Sequence, residues 1–218
     1  MHIEPGFVSP LKIMLANITA TGVLSYYGKA LLLKPFEIVK AILAAVFFSL
    51  FMQSFHMSVG PSELHFVGAM VIYLTLGFTP TLFGFAAGLL FQGFIFAPVD
   101  LPHLAVNSLS LIAPLVAVHY TVGKKLFDKT SEKVLNWKTV VKLDAIYYSG
   151  VTVMVGFWLM IGEVQTPFAS WAVFAASYLP IVAIEPIISY TFVKLLKKHE
   201  DTSIIENCFS VKALTLSA

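Results

Sequence analysis

The sequence predicts an all-α integral membrane protein of about seven transmembrane helices, with its N-terminus outside and its C-terminus inside. Three observations carry that prediction. The 218 residues are 58% hydrophobic and only 12% charged, with a mean hydropathy of +0.84, whereas soluble domains run at about 25% charged residues. The apolar residues gather into runs close to the roughly 17–25 residues that a helix needs to cross about 30 Å of hydrocarbon. The lysines, finally, are divided very unevenly among the connections.

The runs follow one another in order. The first, 10–29 (PLKIMLANITATGVLSYYGK), is diluted by Lys12 and Asn17, and the second, 36–55 (FEIVKAILAAVFFSLFMQSF), is nearly pure hydrocarbon. Two short runs come next, 64–79 and 81–97, hinged at Pro80. Gly68, Gly77, Gly84, Gly88 and Gly93 recur through them, and small residues of this kind let helices approach closely in lipid. The last three runs span 104–122, 143–162 and 168–193. The long polar link KKLFDKTSEKVLNWKTVVK, 124–142, separates five spans from two and reads as a solvated loop.

Short loops that remain inside carry the excess of positive charge. With an outward N-terminus the inner segments hold Lys29, Lys34 and Lys40, then Lys124, Lys125, Lys129, Lys133, Lys138 and Lys142, then Lys194, Lys197, Lys198 and Lys212. Only Lys12 is left outside, and an odd number of spans satisfies this asymmetry. The chain then divides into an N-terminal peptide, 1–9, a single transmembrane helical domain, 10–198, and a cytoplasmic tail, 199–218. The tail is expected to be a disordered inner extension.

Composition excludes several functions. There is one cysteine, Cys208, and so no disulfide pair or thiolate metal cluster. Every cationic side chain is a lysine, with no arginine fork to grip phosphate, so nucleic-acid binding is unsupported. No G-x-x-x-x-G-K-[ST] phosphate loop is present.

The opening MHIEPGF is the chemically distinctive stretch. It lacks the basic and apolar regions of a cleavable leader, and a bulky residue at position 2 is expected to keep Met1 in place. A free amine at Met1, the amide nitrogen of His2 and its Nδ1 can close two fused chelate rings, putting three nitrogens in a plane and leaving a fourth corner for an imidazole from elsewhere. That geometry suits a tetragonal or square-planar ion such as Ni(II) or Cu(II) rather than tetrahedral zinc. Because the nitrogens must lose protons, binding would weaken at low pH. Under the expected topology His2, His56, His65 and His103 gather on the outer side.

These residues resemble a known family. MHIEPGF is similar to the MHI-x-x-G-F opening of the CbiM/NikM family, the substrate-specific membrane components (S components) of energy-coupling factor (ECF) ABC transporters for cobalt and nickel. Ser62, His65 and Gly68 in SELHFVG resemble its S-x-x-H-x-x-G segment, and LLFQ at 89–92 followed fifteen residues later by Asn107 resembles its LLFQ-to-Asn spacing. The resemblance implies that the N-terminal peptide folds back into the bundle and that the metal is held by Met1, His2 and His65, with Ser62 and Asn107, in the matching segments, as candidates to stand behind the ligands. It implies Co2+ or Ni2+ as transported substrate and no bound cofactor. It implies a transmembrane coupling (T) subunit, paired ATPase subunits and a small accessory membrane subunit as partners, a prokaryotic plasma (inner) membrane, and cobalt supply for cobalamin synthesis. One departure stands out: the family loop that bears a histidine reads PVDLPHLA here, with Pro98 at the histidine position. Two readings of His103 stay open, that it takes over with Asp100 in orienting a ligating imidazole or neutralising charge, or that it simply faces water at a helix mouth.

The remaining ionisable residues receive lesser roles. Glu185, just before Pro186, is expected to satisfy backbone groups freed by the proline or to pair with a lysine; Asp144 is placed at the interface; Glu4 and Glu63 are rim residues that shield or salt-link the site. Two rival readings remain, an intramembrane His/Glu metal-dependent enzyme and an ECF component for an organic vitamin. The first is opposed by the lack of any H-E-x-x-H pair.

Overall fold

The computed structural model describes residues 2–3, 6–60, 62–128 and 130–217, with only the backbone of His2. Helices dominate. Helix α1 (Pro10–Leu32) and α2 (Pro35–Ser54) are followed by a β-hairpin, β2 (His56–Val59) and β3 (Ser62–His65), onto which the N-terminal β1 (His2–Ile3) is added. Then come α3 (Ala69–Leu76), α4 (Phe78–Ile95), α5 (Leu104–Thr121), α6 (Trp137–Ile161), α7 (Phe168–Ser177), α8 (Leu179–Lys197) and the short α9 (Ser203–Cys208). Prolines open α1, α2 and α8 within their first two positions, where the missing N–H is no loss. Asn136 caps α6 by accepting from the Thr139 amide at 2.9 Å.

Among the described residues, five helical stretches are long and apolar enough to cross a membrane: Pro35–Ser54, Phe78–Ile95, Pro98–Thr121, Trp137–Ile161 and Phe168–Lys197. Helix α1, with 23 residues, is roughly 35 Å long at 1.5 Å per residue. It turns Leu11, Met14, Leu15 and Ile18 outward. The third of the seven expected spans is different. Its first two residues end β3, and 66–68 link them to α3, eight residues that are all buried, or about 12 Å of helix; its last two residues already belong to α4. A short apolar run fits a buried strand as well as a helix, which is why the sequence pattern merged the two. The break before α4 falls at Gly77, not at Pro80: its φ of 92° lies in the region open to glycine.

The sheet has the order β1-β3-β2, antiparallel throughout. It occupies the end of the bundle where α2 finishes. Lys40, at the start of α2, marks the opposite end, which also carries Lys124 and Lys125. Between the two, α2 and α4 pack tightly. A Cβ at Gly84 would lie 2.3 Å from the Ala44 Cβ, and one at Gly88 would lie 2.4 Å from Phe48. These are the close approaches expected of small residues in lipid.

The buried half-helix α3 is held at its start by a carboxylate. Glu185 Oε1 accepts from the Met70 amide at 2.8 Å, and Oε2 accepts from the Tyr148 hydroxyl. The carboxylate thus supplies a partner to the orphan N–H groups of a helix N-terminus. From the sequence, Glu185 is expected to serve the groups freed by Pro186 or a lysine; its partners here are instead the start of α3 and Tyr148. Asp144 is not interfacial: it is fully buried beside Glu185. The tail is packed against the lysine-bearing end, with Val211 and Leu214 buried.

Candidate metal centre

The site is built on the three-stranded sheet. In β3 the alternation of side chains puts Glu63 and His65 on one face, and His65 Nε2 lies 3.0 Å from Glu63 Oε2. The hairpin register sets His56 opposite His65, and their rings stack with centroids 5.9 Å apart. On the other side of β3, His2 is registered with Glu63 and Ile3 with Ser62. The N-terminal strand thus reaches the segment that carries His65.

Two anchors fix that strand. Asn107 Oδ1 accepts from the Ile3 amide at 3.0 Å, with Ile3 and Asn107 both buried. Farther along, Phe7 accepts from the Glu163 amide at 2.8 Å, while Lys12 donates to the Ile161 carbonyl and to Glu163 Oε1, each at 2.6 Å. The hydrogen bond from Lys12 holds the Glu163 carboxyl below the usual carboxylate range. Beneath the sheet, Tyr178 bonds to the backbone of His65, and its ring lies 5.1 Å from that of Tyr148, which in turn binds Glu185. One run of contacts therefore links the His65 strand to the cap of α3.

The expected residues are distributed as follows. His65, Ser62 and Asn107 are buried on or against the sheet, and His2 is brought to it by its backbone register. His103 is also buried, one turn before Asn107, and its ring nitrogens have no hydrogen-bond partner among the described residues. Met1, Glu4 and the side chain of His2 lie outside the described residues. Among the described residues, no three His, Cys, Asp or Glu side chains form a metal-holding group. The chelate expected from the sequence needs the terminal amine, the His2 amide and the His2 ring as well as His65. The sequence named His56 and Glu63 without the pairing that sets both against His65; the Gly60-Pro61 turn signal between alternating residues was the available clue. Tyr178 had no sequence signal.

A search of curated proteins finds no match to this chain. A solved structure described as the crystal structure of a transition metal transporter aligns over 94% of this chain and 96% of its own, with a TM-score of 0.71 and 19% identity, which shows a shared fold. The model of the CbiM cobalt-uptake substrate-specific transmembrane region matches residues 2–202. With nearly its whole length inside that match, from the N-terminal strand through the last long helix, the chain belongs to the CbiM family of multi-pass membrane components of metal uptake.

Proposed function

We propose that this protein is the metal-capturing S component of an ECF transporter, taking Co2+, or otherwise Ni2+, from the outer side of a prokaryotic plasma membrane. The ion is held by the Met1 amine, the amide and Nδ1 of His2, and His65. The observation that carries this reading is the register of β1 on β3, pinned by Asn107, which delivers the N-terminal strand to the segment bearing His65. A neutral imidazole has one protonated nitrogen. When Nε2 donates to Glu63, Nδ1 keeps the lone pair for the ion, and the carboxylate raises its basicity.

The N-terminus and the sheet then face outward and the lysine-bearing end faces the cytoplasm. A separate T subunit and ATPases supply the energy, with a small accessory membrane subunit completing the complex and cobalt going to cobalamin synthesis. Co(II) and Ni(II) binding to detergent-purified protein tests the reading, with absorption spectroscopy and mass analysis of the intact N-terminus. The native chain is expected to bind one ion with a planar-nitrogen spectrum, while an N-terminally extended chain and His65→Ala lose it. Equal binding by the extended chain would remove the terminal amine as a ligand and overturn the assignment.

A further inference from the structure

We propose that the C-terminal segment from Phe209 to Ser217 is a latch that closes the lysine-bearing end of the bundle beneath α3, and that it must undock for a captured ion to leave on that side. The inference rests on the proposed direction of transport and goes beyond it.

The argument begins with an interrupted helix. Because α3 stops at Gly77, its last carbonyls have no partner within the helix. Two of them are satisfied from the tail: the Ser210 amide donates to the Thr75 carbonyl at 2.7 Å, and Ser210 Oγ donates to the Leu76 carbonyl at 2.9 Å. The same Oγ accepts from Lys40 of α2 at 3.2 Å. Six residues on, the tail is stitched to the link before α6: Leu135 donates to the Thr215 carbonyl at 2.7 Å and accepts from the Ser217 amide at 3.1 Å. One short segment therefore ties together α2, the α3–α4 break and the α5–α6 link. The half-length helix packs against α8, α2, α4 and α6, and the tail segment lies across this end of them, against α8 and α3 as well as α2, so it would have to move for anything to pass below α3.

The strap that carries the latch is loosely held. Helix α9 buries none of its residues. Lys212 reaches Glu206 at 2.9 Å and Asp201 at 3.6 Å, solvent-exposed pairs of the kind that contribute little. The latch itself is seated by buried Val211 and Leu214 as well as by its backbone and hydroxyl bonds, while the exposed strap leading to it belongs to the low-stability end of a structure, where moving parts are found. The residues beyond 202 also lie outside the family match, so the latch is an addition to the matched region.

The chain carries its own reporter, because Cys208 is its sole cysteine and stands two residues before Ser210, partly covered. The experiment uses the full chain loaded with Co(II) in vesicles, with the tail facing the medium. It compares this chain with Ser210→Pro, which removes the amide that binds Thr75, and with a chain ending at Thr202. Two rates are read: labelling of Cys208 by a maleimide, and loss of Co(II) to a membrane-impermeant chelator in the medium. Expected in Ser210→Pro are faster labelling and at least tenfold faster loss of Co(II), with Co(II) capture from the sheet side unchanged; the shortened chain should release equally fast. Faster labelling with unchanged Co(II) loss overturns the latch alone, as does release that rises equally toward both faces. An intact chain that captures no Co(II) overturns the transport reading and the latch with it.

Discussion

At the site, a single carboxylate does more than its place at the rim suggests. Glu63 is registered with His2 and bonds His65, so it orients one expected ligand while facing the strand that brings the others. Removing the outer partner of a ligating histidine typically weakens metal affinity about 10–100-fold. Glu63→Gln is therefore expected to lower Co(II) affinity by that factor in an equilibrium titration while leaving the melting temperature of the metal-free protein nearly unchanged. An unchanged affinity would show that the ring is oriented by other contacts. The sequence pointed to His65 and Asn107 by their place in short patterns, but not to what Asn107 does. Its partner is a backbone amide 104 positions away, and a backbone amide leaves no trace in residue type.

Among the elements, α3 was the least legible. Its sequence AMVIYLTL is apolar enough to extend a span, yet it is eight residues long and buried on every side. The information that shortens it lies in Gly68 and Gly77, both at positive φ, and in a glutamate more than a hundred residues later. The long spans were legible because length and hydropathy alone decide them in lipid, whereas a half-helix with a strand before it offers no run of its own. The capping role of Glu185 makes a second prediction. Hydrogen bonds to a charged group are worth about 1.5–3 kcal/mol each, and Glu185 accepts from both the Met70 amide and Tyr148. Glu185→Ala is expected to lose about 3–6 kcal/mol on that basis, read as a large drop in thermal midpoint in detergent, with Glu185→Gln keeping part of the loss back. A midpoint equal to the parent's in the alanine variant would mean that α3 is held by packing alone.

Across the whole molecule, charge and architecture agree on two unlike ends. Lys12 is tied to Ile161 and Glu163 at the finish of α6, while Lys40 stands at the opposite end against the tail. The 25 residues of α6 amount to roughly 37 Å of helix, enough to cross the hydrocarbon. Its start, at Trp137, follows the lysine-rich link, so the far end, with the sheet, is left almost free of positive charge. The retention of Lys and Arg on the inner side then makes a prediction about sidedness in intact cells. An impermeant amine reagent added outside should modify Lys12 and spare Lys124 and Lys125, and an impermeant maleimide should reach Cys208 only after the membrane is opened. Glu163→Gln, which removes the carboxylate paired with Lys12, should speed the outer reaction without changing the inner ones. Should Cys208 react in sealed cells, the orientation is reversed: the sheet would then face inward, and the N-terminal strand would meet the ion only after it had crossed.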